Sequence, residues 1–147
     1  MIRVLIADDH PLVRSGLRAL LTSLDGFEVV GEAADGESAV DLVHRQRPDV
    51  VVMDVQMPRE GGIEATRRIA ATAPAVAVLM LTMHEDEESV FAAMRAGARG
   101  YILKGAEQDE VIGAIRAVSR GEAIFGPSVA ERVLQLFAAG KPAQPFP

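Results

Sequence analysis

Cysteine is absent from the 147 residues of the chain, which excludes disulfide bonds, zinc–thiolate sites and thiol nucleophiles and fits a reducing compartment. Long apolar runs are missing too: the longest, at 73–81, is far short of the ~20 residues that a membrane-spanning helix requires. The chain enters a predicted strand at once and reaches Asp8 too early for a secretory signal peptide. We therefore expect a cytoplasmic protein with one ordinary domain, a short extension and no membrane partner.

Basic charge is also scarce. The chain has 15 Lys and Arg residues against 21 Asp and Glu residues, and its formal net charge is −6. Such a surface repels bare DNA unless a local basic patch overcomes the repulsion. Arg67 and Arg68 form the only adjacent basic pair, and a solvated helix face is the ordinary interpretation of such a pair. This chain by itself is therefore not expected to bind nucleic acid.

Apolar runs alternate with segments of helical periodicity, which is typical of βα units built on a parallel sheet. The second run is polar and suits a sheet edge, whereas the third is wholly apolar and suits the centre. Gly26 is expected to close the first helix. With helices on both faces, the fold class is α/β, a doubly wound five-stranded parallel sheet. The predicted strands cover 2–7, 27–33, 49–53, 76–81 and 99–103, and the predicted helices cover 11–24, 36–46, 62–72, 85–97 and 107–119.

The last part of the chain differs from the repeated βα units. These units are complete by Gly121, so we place a domain at 1–121 and a linker at 122–147. Within the linker, 127–139 has the apolar stripe of a short sixth helix. The final eight residues contain three prolines and are typical of an extended linker toward a further domain.

Four of the apolar runs end in polar groups that we consider candidate ligands of one site. Asp8-Asp9, Asp54, Thr82 and Lys104 follow the first, third, fourth and fifth runs. In an open parallel α/β sheet, ligands bind at the carboxyl ends of the strands. Three carboxylates ~5 Å apart repel by roughly 3 kcal/mol per pair at an effective dielectric of 20. A divalent cation with oxygen ligands, Mg²⁺ or Mn²⁺, removes that cost.

Such a site is suited to phosphoryl chemistry. An aspartate carboxylate beside a divalent cation can attack a phosphoryl group and form an acyl phosphate. Lys104 offers a point charge, and Thr82 a hydroxyl, to phosphoryl oxygens. Taken singly, each residue has an ordinary interpretation: Asp8-Asp9 and Thr82 as helix caps, Lys104 as a surface lysine, and Tyr101 as an edge-strand aromatic. Their joint occurrence at the ends of successive strands favours the phosphoryl site.

These motifs resemble those of the receiver domain of bacterial two-component response regulators. The matching segments are VLIADDHP at 4–11, VVMDVQMP at 51–58, LTMH at 81–84 and GYILK at 100–104. Over 96–123 the sequence is similar to that of the NarL/FixJ (LuxR-type) subfamily. Members of this subfamily continue into a helix-turn-helix DNA-binding domain. The resemblance covers about 1–121 and implies a (βα)5 flavodoxin-like fold with strand order 2-1-3-4-5. DNA would then be bound only through a domain that lies beyond this chain.

The resemblance also implies roles for the site residues. Asp54 would accept a phosphoryl group from a sensor histidine kinase. Asp9 would bind Mg²⁺ directly and Asp8 partly through water, and Asp54 and the backbone carbonyl of Gln56 would complete the protein ligands.

Other residues would respond to the phosphoryl group or control its lifetime. Thr82 and Lys104 would hold phosphoryl oxygens, and movement of Thr82 would let Tyr101 turn inward and remodel the surrounding face. Gln56 and His84 occupy positions that tune the phosphoryl lifetime in the family. Gly105 stands where many receivers carry a proline after the lysine.

Three functions compete at this point. The leading one is a phosphoacceptor switch that assists its own phosphorylation and dephosphorylation, that controls a transcriptional output domain, and that is not an enzyme in the usual sense. A haloacid dehalogenase-type phosphatase would need a D-x-D pattern, but Gln56 stands two residues after Asp54. A degenerate receiver used only for protein interaction would not need the intact acidic site. Receivers of this kind often form homodimers, which the sequence leaves open.

Overall fold

The structure is a computed structural model that describes residues 1–83 and 86–125, together with Glu131 and Leu134. Six strands and five helices alternate along these residues. In chain order they are β1 (Ile2–Ala7), α1 (Pro11–Thr22), β2 (Phe27–Ala33), α2 (Gly36–Gln46), β3 (Val50–Met53), α3 (Gly62–Thr72), β4 (Ala77–Thr82), α4 (Glu87–Ala96), β5 (Gly100–Leu103), α5 (Gln108–Ser119) and β6 (Ile124–Phe125).

All neighbouring strands pair in parallel, in the order β2-β1-β3-β4-β5-β6. The predicted fold class and the order of the first five strands are confirmed. The polar strand β2 lies at an edge, and the apolar strand β3 is fully buried near the centre. The sequence interpretation did not include β6, which pairs with β5. Gly100 permits this pairing, because a Cβ at that position would approach the Ile124 carbonyl oxygen to 2.8 Å.

Each face of the sheet is covered by its own set of helices. On one face, α1 and α5 pack through Leu17, Leu21, Ile112 and Ile115 onto strand residues such as Val52. On the other face, α2, α3 and α4 pack onto the sheet through Ala39, Val40, Val43, Ala65, Ile69, Val90 and Ala93. The burial of apolar side chains on both faces explains why the central strands carry no alternating polar positions.

The helix ends follow local chemistry. Pro11 occupies the first position of α1 as predicted, where its missing N–H is not needed. The Asp35 side chain caps α2 by accepting a hydrogen bond from the Ser38 N–H at 2.7 Å. The prediction that Gly26 closes α1 was wrong, because the helix ends at Thr22. Gly26 instead has a φ of 97° in the turn that enters β2, a conformation that glycine adopts without steric cost.

The predicted sixth helix at 127–139 and the proline-rich segment at 140–147 lie outside the described residues, apart from Glu131 and Leu134. The boundary at 121 stays a prediction, and the sheet continues beyond it as β6. Among the helices of the described part of the chain, none is both long enough and apolar enough to cross a membrane.

The first residue of α3 packs directly on the backbone that carries Asp54. A Cβ added at Gly62 would overlap the Asp54 carbonyl oxygen and would approach the Met53 side chain to 3.1 Å. The Gly62 N–H also donates to the Val55 carbonyl oxygen at 2.8 Å. Glycine at this position therefore allows α3 to begin against the end of β3 and holds the Asp54 backbone in place.

We expect Gly62→Ala to lower the free energy of unfolding by more than about 2 kcal/mol, because the added methyl group meets backbone that cannot move aside. Gly113→Ala is the matched control: this exposed glycine within α5 has no atom within 4 Å of the added Cβ. There, alanine should stabilise the protein by about 0.5–1 kcal/mol. Urea unfolding curves measure both values, and equal stability of the two variants would contradict the close approach.

Candidate functional site

The sheet brings the predicted site residues to one edge. Asp8 follows β1 and Asp54 follows β3, and these strands are neighbours on either side of the point where strand order reverses. Thr82 is the last residue of β4, and Lys104 follows β5. Because all of these strands are parallel, their carboxyl ends meet at the same crevice, where ligands bind in open α/β sheets.

Lys104 lies between two buried carboxylates. Its Nζ is 2.8 Å from Asp8 Oδ2 and 3.0 Å from Asp54 Oδ2. Burial of the ammonium lowers the pKa of Lys104, but hydrogen bonds and charge attraction from Asp8 and Asp54 outweigh this effect and raise the pKa above its usual value. Lys104 is therefore a charged member of the site, not an ordinary surface lysine, and it neutralises part of the carboxylate charge.

A histidine that the sequence interpretation overlooked also faces the cluster. The Asp8 Oδ1 atom accepts hydrogen bonds from the His10 backbone N–H at 2.8 Å and lies 2.9 Å from His10 Nδ1. His10 Nδ1 is also 3.2 Å from Asp9 Oδ1 and 4.0 Å from Asp54 Oδ2. The signal in the sequence was the position of His10 directly after Asp8-Asp9 in the β1–α1 loop, to which we assigned no role.

Together these side chains have the composition of a divalent metal site. One ligand atom from each of Asp8, Asp9, His10 and Asp54 lies within 4.8 Å of the others. Asp9 Oδ1 is a buried carboxylate oxygen that makes no hydrogen bond with the described residues, although His10 Nδ1 is near it. An unsatisfied buried carboxylate oxygen in a carboxylate cluster fits a hard cation such as Mg²⁺. The carboxylate and imidazole donors of this cluster are therefore of the kinds that bind a divalent metal.

Gln56 lies beside this cluster in the loop between β3 and α3. Its side chain is exposed. It lines an open pocket with Asp9, Val55, Met57, Pro58 and Gly61. The predicted roles of the Gln56 carbonyl as a metal ligand and of its side chain in phosphoryl lifetime stay predictions. His84, the other residue predicted to tune the lifetime, lies outside the described residues.

Thr82, the last residue of β4, and Tyr101, in β5, are fully buried. Their side chains interact through a hydrogen bond, although the strand register pairs Tyr101 with Met80. Burial raises the pKa of the Tyr101 hydroxyl well above its usual value, the charge of Asp86 acts in the same direction, and hydrogen bonds involving Ser89 and Thr82 oppose them. Thr82 does not cap α4, because the Asp86 side chain does so by accepting from the Ser89 N–H at 3.0 Å. Tyr101 is thus already turned inward in this structure.

Comparison with known proteins agrees with this geometry. The family model described as the response regulator receiver domain matches residues 4–116. The chain belongs to this family. It is 47% identical over 133 residues to the uncharacterized transcriptional regulatory protein YxjL of Bacillus subtilis, covering 90% of this chain and 61% of YxjL. It is 44% identical to the response regulator UvrY of Escherichia coli, covering 99% of this chain and 67% of UvrY.

A solved structure is also similar to this receiver domain. The crystal structure of a LuxR-family two-component response regulator from Aurantimonas sp. SI85-9A1 superposes with a TM-score of 0.88 at 39% identity, covering 92% of this chain and 97% of that chain. The prediction of a receiver of the NarL/FixJ (LuxR) type is confirmed. The chain spans 61–67% of the length of the two curated relatives, so the activities of those whole proteins do not transfer to it directly.

Removal of the Lys104 charge should destabilise the receiver when metal is absent. We expect Lys104→Met to lower the free energy of unfolding in EDTA by about 2–3 kcal/mol, because Asp8 and Asp54 are then left without a countercharge. Millimolar Mg²⁺ should raise the melting temperature of Lys104→Met more than that of the wild type, since no ammonium competes for the carboxylates.

Arg45→Met is the control for this change. Arg45 forms an exposed pair with Asp41 at 3.7 Å, and such pairs contribute about 0–1 kcal/mol. Chemical unfolding with and without Mg²⁺ measures the free energy of unfolding of the wild type, Lys104→Met and Arg45→Met. A Lys104→Met variant that is as stable as Arg45→Met in EDTA and no more responsive to Mg²⁺ would contradict the proposed charge balance.

Tyr101 provides a direct test of its own burial, because it is the single tyrosine of the chain and tryptophan is absent. The folded state keeps the phenol protonated, whereas the unfolded state ionises near pH 10.0. The contribution of the Tyr101 phenol to the free energy of unfolding is therefore fully present below pH ~10 and is lost as the pH rises above that value. Tyrosinate absorbance should therefore appear only with unfolding, and Tyr101→Phe should lose stability less steeply there. A normal titration in the folded protein would show that the phenol reaches water.

Proposed function

We propose that this receiver domain is the phosphoacceptor of a two-component system and that Asp54 is the residue phosphorylated. A sensor histidine kinase would present a phosphohistidine, an Asp54 carboxylate oxygen would attack phosphorus, and the P–N bond to the donor imidazole would break. The observation that carries the proposal is the Asp54 carboxylate: its side chain is 4% exposed, lies at the carboxyl end of β3, and is held by Lys104 within a carboxylate cluster.

A divalent cation, Mg²⁺ or alternatively Mn²⁺, would be held by Asp8, Asp9, Asp54 and the Gln56 carbonyl. The cation would neutralise charge on the phosphoryl group as it transfers. The unsatisfied Asp9 Oδ1 atom supports a direct role of Asp9 in this set. The hydrogen bond from the His10 backbone N–H leaves Asp8 Oδ1 less free than Asp9 Oδ1, in keeping with a contact of Asp8 partly through water.

Lys104 would exchange one of its carboxylate partners for a phosphoryl oxygen when Asp54 is modified. Its ammonium is within hydrogen-bond distance of Asp54 Oδ2, so a group attached to that carboxylate would form beside it. The Thr82 hydroxyl would bind another phosphoryl oxygen. By holding the site in this way, the domain would assist its own phosphorylation and dephosphorylation without multiple turnover of an external substrate.

The phosphoryl group would change the face formed by α4, β5 and α5 through Thr82 and Tyr101. Tyr101 pairs with Phe125 of β6, and Phe125 packs against the same apolar cluster that contains Tyr101. A shift of Thr82 toward the phosphate would alter the contacts of Tyr101, and the β5–β6 pairing would carry that change into the residues after α5. The population of one of two conformations would then depend on the phosphoryl group.

At the level of the whole protein, we propose control of transcription through a DNA-binding domain joined by the segment at 122–147. The names of the relatives, a transcriptional regulatory protein and a response regulator, support this role. A location in the cytoplasm and a homodimer both stay predictions, and light scattering of the purified chain would measure the latter.

The decisive experiment is incubation with Mg²⁺ and a small acyl-phosphate donor, followed by intact mass. We expect one added phosphoryl group on the wild type and none on Asp54→Asn or in EDTA, because both the nucleophile and the cation are required. Fluorescence of the single tyrosine should change only when the group is added.

Asp41→Asn is the matched control, because Asp41 is an exposed aspartate on α2, and this variant should be phosphorylated like the wild type. An adduct that persists in Asp54→Asn would place the modification elsewhere. Rapid turnover of phosphate esters would favour the phosphatase, and no adduct under any condition would favour a protein-interaction module.

A further inference from the structure

The imidazole of His10 adds a nitrogen donor to a set of carboxylates. Its Nδ1 atom faces the cluster at 2.9 Å from Asp8 Oδ1, 3.2 Å from Asp9 Oδ1 and 4.0 Å from Asp54 Oδ2. The ring is 60% exposed, so its other nitrogen can reach water. No role in the phosphoryl chemistry described above uses this nitrogen.

These separations match the edges of a metal coordination sphere. An octahedron with ligands at about 2.1 Å has neighbouring ligands about 3.0 Å apart and opposite ligands about 4.2 Å apart. Asp8 Oδ1 and Asp9 Oδ1 lie at the shorter separation from Nδ1, and Asp54 Oδ2 lies at the longer one. Asp9 Oδ1 makes no hydrogen bond with the described residues, which also fits a cation among these groups.

A hydrogen-bond role alone does not account for every neighbour of Nδ1. To donate to Asp8 Oδ1, Nδ1 must carry the proton, yet Lys104 Nζ, which can only donate, lies 3.4 Å from the same nitrogen. One tautomer cannot satisfy both neighbours. With the proton on the other ring nitrogen, the Nδ1 lone pair faces the cluster and can accept either the Lys104 ammonium or a metal cation.

We propose that His10 is a metal ligand of this site and that it makes the site prefer borderline divalent cations, such as Co²⁺ or Ni²⁺, over Mg²⁺. This inference rests on the metal site of the proposed function and adds its selectivity. Imidazole nitrogen suits the later first-row metals, whose affinity for nitrogen and oxygen sites rises from Mn²⁺ through Ni²⁺. Mg²⁺ prefers oxygen and retains its water, so for Mg²⁺ the His10 position is readily taken by water.

The test is a calorimetric titration of the wild type, His10→Asn and His44→Ala with Mg²⁺ and Ni²⁺ in one buffer. Asparagine keeps a side-chain donor for Asp8 but is a poor ligand for Ni²⁺. His44 is the control imidazole: it lies on α2, where its Nε2 is 2.8 Å from the Thr72 hydroxyl.

We expect the wild type and His44→Ala to bind Ni²⁺ more tightly than Mg²⁺. His10→Asn should lose at least about 10-fold in Ni²⁺ affinity, because loss of a group that merely orients a ligand already costs about 10- to 100-fold. Its Mg²⁺ affinity should change by less than about threefold, because a water molecule can replace the imidazole around Mg²⁺. A Ni²⁺-induced shift of the His10 ring resonances in NMR spectra of the wild type would report the bond directly.

Other outcomes overturn the proposal in distinguishable ways. Equal losses for Mg²⁺ and Ni²⁺ in His10→Asn would mean that the imidazole acts only by positioning Asp8. No loss for either cation would remove His10 from the site. In both cases Mg²⁺-dependent phosphorylation of Asp54 in the wild type could still occur, so the proposed function would stand. Only the absence of binding by any divalent cation to the wild type would overturn both.

Discussion

The repulsion among carboxylates at the carboxyl ends of β1 and β3 is the constraint on which the rest of this structure depends. Asp8 and Asp54 have side chains only 4% exposed, and a single ammonium, that of Lys104, lies within 3.0 Å of both. At an effective dielectric of 20, each such pair attracts by roughly 5.5–6 kcal/mol before desolvation is counted. Without metal, the countercharge of both carboxylates comes from Lys104, which follows β5, two strands from β3 and three from β1.

This charge balance also makes the site responsive. Lys104 and the hydrogen bond from the His10 backbone N–H compensate the carboxylates only in part, because Asp9 Oδ1 makes no hydrogen bond with the described residues. Under the proposed function, a divalent cation or a phosphoryl group on Asp54 would meet groups that can change partners. The buried pair of Thr82 and Tyr101 would be the element that switches, because packed interiors rearrange between discrete states and do not deform continuously. β6, which pairs with Tyr101 and Gly100, connects that pair to the residues after α5.

Much of this arrangement could be predicted from the sequence. The alternation of apolar runs with helical periodicity predicted each strand and helix through α5, usually to within two residues, because burial on both faces of a parallel sheet requires that pattern. Motifs after four of the strands predicted the site. The end of α1 was harder to predict. Gly26 signals a turn, but the helix already ends at Thr22, because a glycine marks a turn without specifying how many residues before it the helix stops. β6 was missed because two residues have no periodicity.

The sequence by itself determined the composition of the site and the sheet that displays it, since the order of polar groups after apolar runs is a property of the chain. Only the tertiary structure decided which of those groups touch. The contact of Lys104 with both Asp8 and Asp54 joins residues 50 and more positions apart, and it follows from the neighbour order of strands. The approach of His10 Nδ1 to three carboxylates depends on the extended backbone of His10, the N-cap residue of α1. Such geometry arises from packing across the sheet, which no local pattern records.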